Sequence, residues 1–161
     1  MTSPARKHLE RVLASRLIHS DQAAPGPSAL PSPSPAAGMA VQMHMRLALD
    51  LRRLKEIKSV QAKVEAKRSM LPEYEAWIEG WFSALEQTGT AREDEIVGTM
   101  MVWKIDIGDY AGALALAEPI LAHKLALPAR YARDAATLVA EEIADAALTA
   151  LGRGEAFDLT A

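Results

Sequence analysis

The stretch MAVQMHMRLALDLRRLKEIKSVQAKVEAKRSM, residues 39–70, contains neither proline nor glycine. Leu47, Leu51, Leu54, Ile57 and Val64 recur in it at spacings of three, four or seven, which is the period of one helix face. The pattern predicts a single helix reaching about 45 Å at 1.5 Å per residue. Its apolar stripe is thin for that length, so the helix needs a partner. Either a following antiparallel helix or the same helix of other subunits would serve.

Downstream, helical signals continue without interruption by strands. Pro72 suits a helix start, and Tyr74, Trp77, Ile78, Trp81, Phe82 and Leu85 follow on one broad face before Gly89. Thr90-x-x-Glu93 has the capping-box spacing and precedes Ile96, Val97, Met100, Met101, Trp103 and Ile105. Gly108 ends that helix, and Asp109 caps another that runs to about Lys124 with a kink at Pro119. A last helix is predicted from Arg130 to Leu151, with Gly152 as its stop. No segment alternates with period two, so the fold class is all-α. Its C-terminal part reads as a helical bundle.

Upstream the composition changes. Ser3-Pro4 opens a short helix carrying Leu9, Val12, Leu13 and Leu17. Five prolines among Ala, Ser and Gly in residues 22–38 read as an extended linker. The organisation expected is a basic arm over 1–21, the linker over 22–38, a long helical hairpin for oligomerisation over 39–88, a C-terminal helical domain over 89–152, and a tail over 153–161.

Charge divides the chain more sharply than its net value of -3 suggests. Residues 1–70 carry 12 Lys/Arg against 5 Asp/Glu, a balance of +7, and residues 71–161 carry 6 against 16, a balance of -10. A split of this kind points to two different partners, one of them a polyanion. The basic residues fall in two sets. Arg6, Lys7, Arg11 and Arg16 stand on the arm beyond the linker, a placement suited to meeting DNA phosphates. Arg46, Arg52, Arg53, Lys55, Lys58, Lys63, Lys67 and Arg68 lie along the long helix, with only Asp50, Glu56 and Glu65 for company. A solvated helix with some i,i+4 pairing explains the second set as well as DNA contact does. All eight aromatic residues lie after residue 73, so neither set has a stacking platform for single strands.

Catalytic signatures are absent from the sequence. There is no phosphate-cradling G-x-x-x-x-G-K-[ST], no G-x-G-x-x-G and no H-E-x-x-H, and the four histidines are scattered. With no cysteine there are neither disulfides nor thiolate metal sites, which fits a reducing compartment. No apolar run is long enough to suggest a membrane span. Glu93, Asp94 and Glu95 suit the first turn of a helix, where carboxylates favour the dipole. No catalytic residue, metal or cofactor is therefore expected. The most distinctive local motif is GDYAGALALA, residues 108–117, a glycine turn followed by a helix of small residues. A tetratricopeptide unit has a similar turn, which leaves a helical-repeat scaffold open as an alternative, although only one such turn is visible.

Taken together, four stretches resemble the small terminase subunit of temperate, contractile-tailed, cohesive-end phages. They are TSPARKHLERV (2–12), LRRLKEIKSVQAKVEAKRSMLPEYEAWIEGW (51–81), MMVWKIDIGDYAGALALAEPILAHKLALP (100–128) and LVAEEIADAAL (138–148). The chain departs from the family in a long linker and in Pro119, which interrupts a helix expected to be continuous. The resemblance implies a non-catalytic subunit that forms homo-oligomeric rings in the cytoplasm of the bacterial host. It would bind the packaging-initiation site on double-stranded viral DNA and hand it to a large terminase subunit with the ATPase and nuclease. A stand-alone DNA-binding regulator is the other alternative, and it would lack that large partner. The acidic half, including the Glu155–Asp158 tail, is the expected docking surface for the large subunit.

Overall fold

The computed structural model describes residues 35–159, and among these it contains helices and no strand. The arm with Arg6, Lys7, Arg11 and Arg16 lies outside the described residues, as does most of the linker. Helix α1 spans Pro35–Glu56, α2 Val60–Met70 and α3 Glu75–Thr88, with a 3-10 turn at Leu71–Tyr74 between the last two. Helices α4 (Glu95–Asp106), α5 (Tyr110–Ala122) and α6 (Ala135–Gly152) complete the chain.

Two boundaries differ from expectation near the N-terminal side. Residues 35–38, expected as linker, form the first turn of α1. Proline is well suited to a first helical position, because its fixed φ is already helical and the missing N–H has no partner there anyway. The long helix is also not single. It breaks at residues 57–59, where Ser59 turns extended (φ -74°, ψ 130°) and its hydroxyl accepts from the Ala62 amide at 3.3 Å. A capping serine followed by β-branched Val60 ends one helix and starts the next without any proline or glycine.

The core is organised around α4. From Ile96 to Ile105 every residue except Lys104 is buried, so the helix is apolar on all sides. Against it pack α5, α6 and the 3-10 turn, while α1 contributes Leu47 and Leu54 to the same cluster. Trp103 meets the buried Tyr74 ring edge-on, centroids 6.1 Å apart. The Tyr74 hydroxyl donates to Asp50 of α1 at 2.8 Å. Burial, with the Asp50 carboxylate second, raises its pKa well above the usual phenol range.

The start of α4 is set by Asp94, not by the Thr90–Glu93 box. One Asp94 oxygen accepts from the Ile96 and Val97 amides at 2.8 and 2.9 Å, and the other accepts from the Trp77 indole at 3.1 Å. Glu93 instead accepts from the Ala126 amide in the loop after α5. Gly98 lets that loop approach, since a Cβ there would stand 2.8 Å from Pro128 Cδ. Buried Thr99 donates to the Glu95 carbonyl and accepts from Arg130 at 2.7 Å, and Arg130 also pairs with the Glu95 carboxylate. These bonds hold residues 130–134 as an irregular approach to α6, so the last helix begins at Ala135, capped by Asp134, and not at Arg130.

The GDYAG turn has a specific construction. Gly108 takes φ +83°, open to glycine, and Asp109 accepts from the Gly112 amide at 2.9 Å to cap α5. Lys104 donates to the second Asp109 oxygen at 2.5 Å. A Cβ on Gly112 would collide with that Asp109 oxygen and stand 2.7 Å from Lys104 Nζ. Pro119 lies inside α5 without ending it before Ala122.

Candidate nucleic-acid interface

The break at residues 57–59 decides which basic residues are free to meet a ligand. Three of the eight from Arg46 to Arg68 are committed to the fold. Arg46 reaches Glu73 of the 3-10 turn at 3.1 Å and lies 4.0 Å from Asp50. Lys67, its side chain only 16% exposed, pairs with Asp106 at the end of α4 at 2.5 Å. Arg68 pairs with Glu65 at 2.9 Å and donates to the Ile107 carbonyl at 3.2 Å. Each of these cations is neutralised or used to tie helices together.

The other five, Arg52, Arg53, Lys55, Lys58 and Lys63, have no ion pair among the described residues. Arg53 and Lys55 sit in the last turn of α1, where a cation favours the helix dipole, and that accounts for part of their placement. Geometry separates the five further. Arg52 continues the outward face of α1, in line with Val41, Met45 and Leu49 at helical spacing, and Arg53 stands beside it. Lys55 instead lies in the last turn of α1, Lys58 in the break, and Lys63 in the first turn of α2.

Lys55 and Lys63 line one cleft together with the committed Lys67. Its cavity of about 230 Å³ has Leu54 and Trp103 among its walls, and Asp106 and Tyr131 share the lining. Burial pushes the Tyr131 hydroxyl up to about 12, so it stays a neutral donor beside the lysines. Sequence spacing gave no sign of Tyr131, which arrives from the loop before α6. An apolar wall with lysine ammoniums at its rim is suited to a phosphate seated against sugar or side-chain carbon.

A second, oppositely charged groove lies at the C-terminal end. It has a cavity of about 650 Å³ lined by Asp106, Glu142, Asp145, Glu155 and Asp158, with Arg153 the cation among them. Phe157 of the tail packs at a tilt against Tyr110, ring centroids 5.1 Å apart, which seats the tail along this groove. No group of three or more His, Asp or Glu side chains among the described residues is placed to hold a metal ion. No helix among them is long and apolar enough to cross a membrane.

Residues 44–161 match the family of phage small terminase subunits. The chain belongs to that family. The matched region begins two residues before Arg46 and so contains the whole α1–α2 set of cations, both grooves and the GDYAG turn. A curated relative, named the terminase, endonuclease subunit of Escherichia phage P2, is 35% identical over 158 residues. The alignment takes in 98% of this small terminase subunit and 59% of that protein, so the chain spans about three-fifths of its relative's length. No solved structure matches.

Proposed function

We propose that this small terminase subunit recognises the packaging-initiation site on double-stranded viral DNA and recruits or regulates the large ATPase and nuclease subunit. It works as a homo-oligomer, a ring, in the cytoplasm of the bacterial host, and is itself not catalytic. The observation that supports the DNA reading is that Lys55, Lys58 and Lys63, in or next to the helix break, have no ion pair among the described residues of a chain whose family is a terminase family. Arg6, Lys7, Arg11 and Arg16 supply site preference, and the lysines at the break supply backbone attraction. Several arms on one oligomer gain from high effective concentration on a single duplex. The cutting named for the phage P2 relative we assign to a large partner, because this sequence has no nucleotide or nuclease motif. The tail groove with Glu155 and Asp158 is the proposed docking surface for that partner.

The test is the salt dependence of duplex binding. Each phosphate neutralised contributes about -0.9 to the slope of log K against log salt. Replacing Lys55, Lys58 and Lys63 by alanine is expected to flatten the slope by up to ~3 while sparing site preference. Replacing Arg6, Lys7, Arg11 and Arg16 is expected to abolish preference for the initiation site. An unchanged slope in the first variant removes the break as a DNA contact. A single helix–glycine–helix turn, α4 into α5, does not favour the repeat-scaffold alternative.

A further inference from the structure

Asp106 stands where two fields of opposite charge meet. It lines the lysine cleft with Lys55, Lys63 and Lys67, and it also lines the acidic groove with Asp145, Glu155 and Asp158. No other described residue lines both. Local helix preference does not account for a carboxylate at this position. Asp106 is the last residue of α4, and a negative charge at a helix C-terminus opposes the dipole. Its position is explained by the Lys67 ammonium of α2, which it holds at 2.5 Å.

The two partners are not equally confined. The Lys67 side chain is 16% exposed and that of Asp106 is 35% exposed, so the carboxylate is the one with room to turn toward the groove. Within the cleft, Asp106 is the carboxylate that faces three lysines. It takes the place beside Lys67 that a DNA phosphate would use, and its own charge repels one. Drawing Asp106 away leaves a largely buried ammonium without a counter-ion, which is costly. A phosphate oxygen, able to accept a charge-assisted hydrogen bond, is the anion that replaces it.

We propose that Asp106 is a built-in competitor for DNA phosphate: it holds Lys67 back in the free chain and gives it up when a cationic segment of the large subunit occupies the acidic groove. This rests on the DNA and docking readings above and adds a coupling between them. In the free chain the cleft offers Lys55 and Lys63 to phosphate. With the groove filled it offers Lys67 as well. Coupling in binding is reciprocal, so DNA in the cleft releases Asp106 to the groove and tightens the hold on the large subunit by the same factor.

The first test is a mutant cycle in the full chain. Duplex binding is followed by fluorescence anisotropy across a salt series for wild type, Asp106→Asn, Lys67→Ala and the double variant. Asp106→Asn is expected to steepen the slope of log K against log salt by about 0.9, one phosphate, and the double variant to return to the wild-type slope. A wild-type slope in Asp106→Asn overturns the proposal. So does an equal gain with Lys67 present or absent, which is a general effect of charge. Asp106→Ser takes the place of the asparagine variant if circular dichroism shows that asparagine disturbs the fold. If replacing Lys55, Lys58 and Lys63 also leaves the slope unchanged, the DNA reading fails as well; if only the Asp106 variant is silent, that reading stands.

The second test needs no DNA. Brief acetylation with acetic anhydride, read by mass spectrometry, reports how accessible the Lys67 amine is, with the exposed Lys58 of the same chain as the reference. Relative to Lys58, Lys67 is expected to react several-fold faster in Asp106→Asn than in wild type, and faster in wild type bound to the large subunit than in the free chain. Protection of Lys67 that is unchanged or deeper in that complex overturns the coupling. A large subunit that does not bind the chain removes the docking reading and the coupling together.

Discussion

Helices α4 and α1 use their surroundings in opposite ways. Nine of the 12 residues of α4 are buried, and Trp103, Met100, Met101 and Ile96 are each at most 2% exposed. The 22 residues of α1 bury only Leu47 and Leu54 fully, while Met39, Val41, Met45 and Leu49 face outward. The shorter helix is held by its own chain on all sides, whereas the longer one is held on one side only. Helical order in α1 therefore depends on one buried edge, and its other edge is free to meet a second molecule. Charge follows the same division: Lys104 of α4 is paired with Asp109, whereas Arg52, Arg53 and Lys55 of α1 have no ion pair among the described residues.

Truncation separates the two helices most clearly. Trp103→Ala leaves a cavity at the centre of the core and is expected to cost about 3–5 kcal/mol. Leu49→Ala is expected to change monomer stability by less than about 0.5 kcal/mol. Denaturant titration at protein concentrations low enough to suppress assembly reads both. Equal losses would show that α1 is packed as completely as α4 and would remove the contrast. Next in size is Asp94→Ala, which unties two α4 amides and the Trp77 indole together. An N-cap loss of about 1–2 kcal/mol is expected from the same titration, and a loss of a few tenths would return the start of α4 to the Thr90–Glu93 box.

Within the basic segment the comparison sharpens to two lysines four residues apart. Lys67→Ala removes a half-buried pair with Asp106 and is expected to cost up to about 1 kcal/mol while leaving the salt slope of DNA binding alone. Lys63→Ala is expected to do the reverse, flattening the slope by about 0.9 without loss of stability. Equal effects of the two on DNA affinity would mean that the Asp106 pair does not remove Lys67 from the interface.

This pair also shows how much was legible beforehand. Helical class and element order follow from periodicity, because an apolar face at 3.6 spacing and the breaks at Gly89 and Gly108 are local properties. Partnering is not local. Arg46, Lys67 and Arg68 look like Lys55 and Lys63 along the chain, and only the fold brings Glu73, Asp106 and the Ile107 carbonyl against them. The capping errors have the same cause. Thr90-x-x-Glu93 has the right spacing, but Ala126 takes Glu93 and Trp77 helps fix Asp94. Ser59 was a visible cap residue, hidden by an apolar period that runs across it.

The smallest expected effect tests the junction between α4 and α5, where the charge of Asp109 can be separated from its role as a cap. Burial works to raise its pKa, but hydrogen bonds from Lys104 and the Gly112 amide outweigh that and hold the carboxyl below its usual value. A carboxylate whose folded pKa is depressed stabilises the fold above the unfolded value, near 3.9, and that contribution is lost as pH falls through the folded pKa. Asparagine caps a helix about as well as aspartate, so Asp109→Asn keeps the bond to Gly112 and removes the charge that faces Lys104. The side chains of Lys104 and Asp109 are 23% and 34% exposed, so solvent screens the pair, and the expected loss at pH 7 is well under 1 kcal/mol, about 0.5. Melting temperatures of both chains from pH 7 down to pH 3 check this, because the other carboxylates titrate alike in both and cancel in the difference. The gap is expected to be full at pH 7 and to narrow below about pH 4. A gap that stays constant across that range would show that shape at the turn, not the charge facing Lys104, holds α4 and α5 together there.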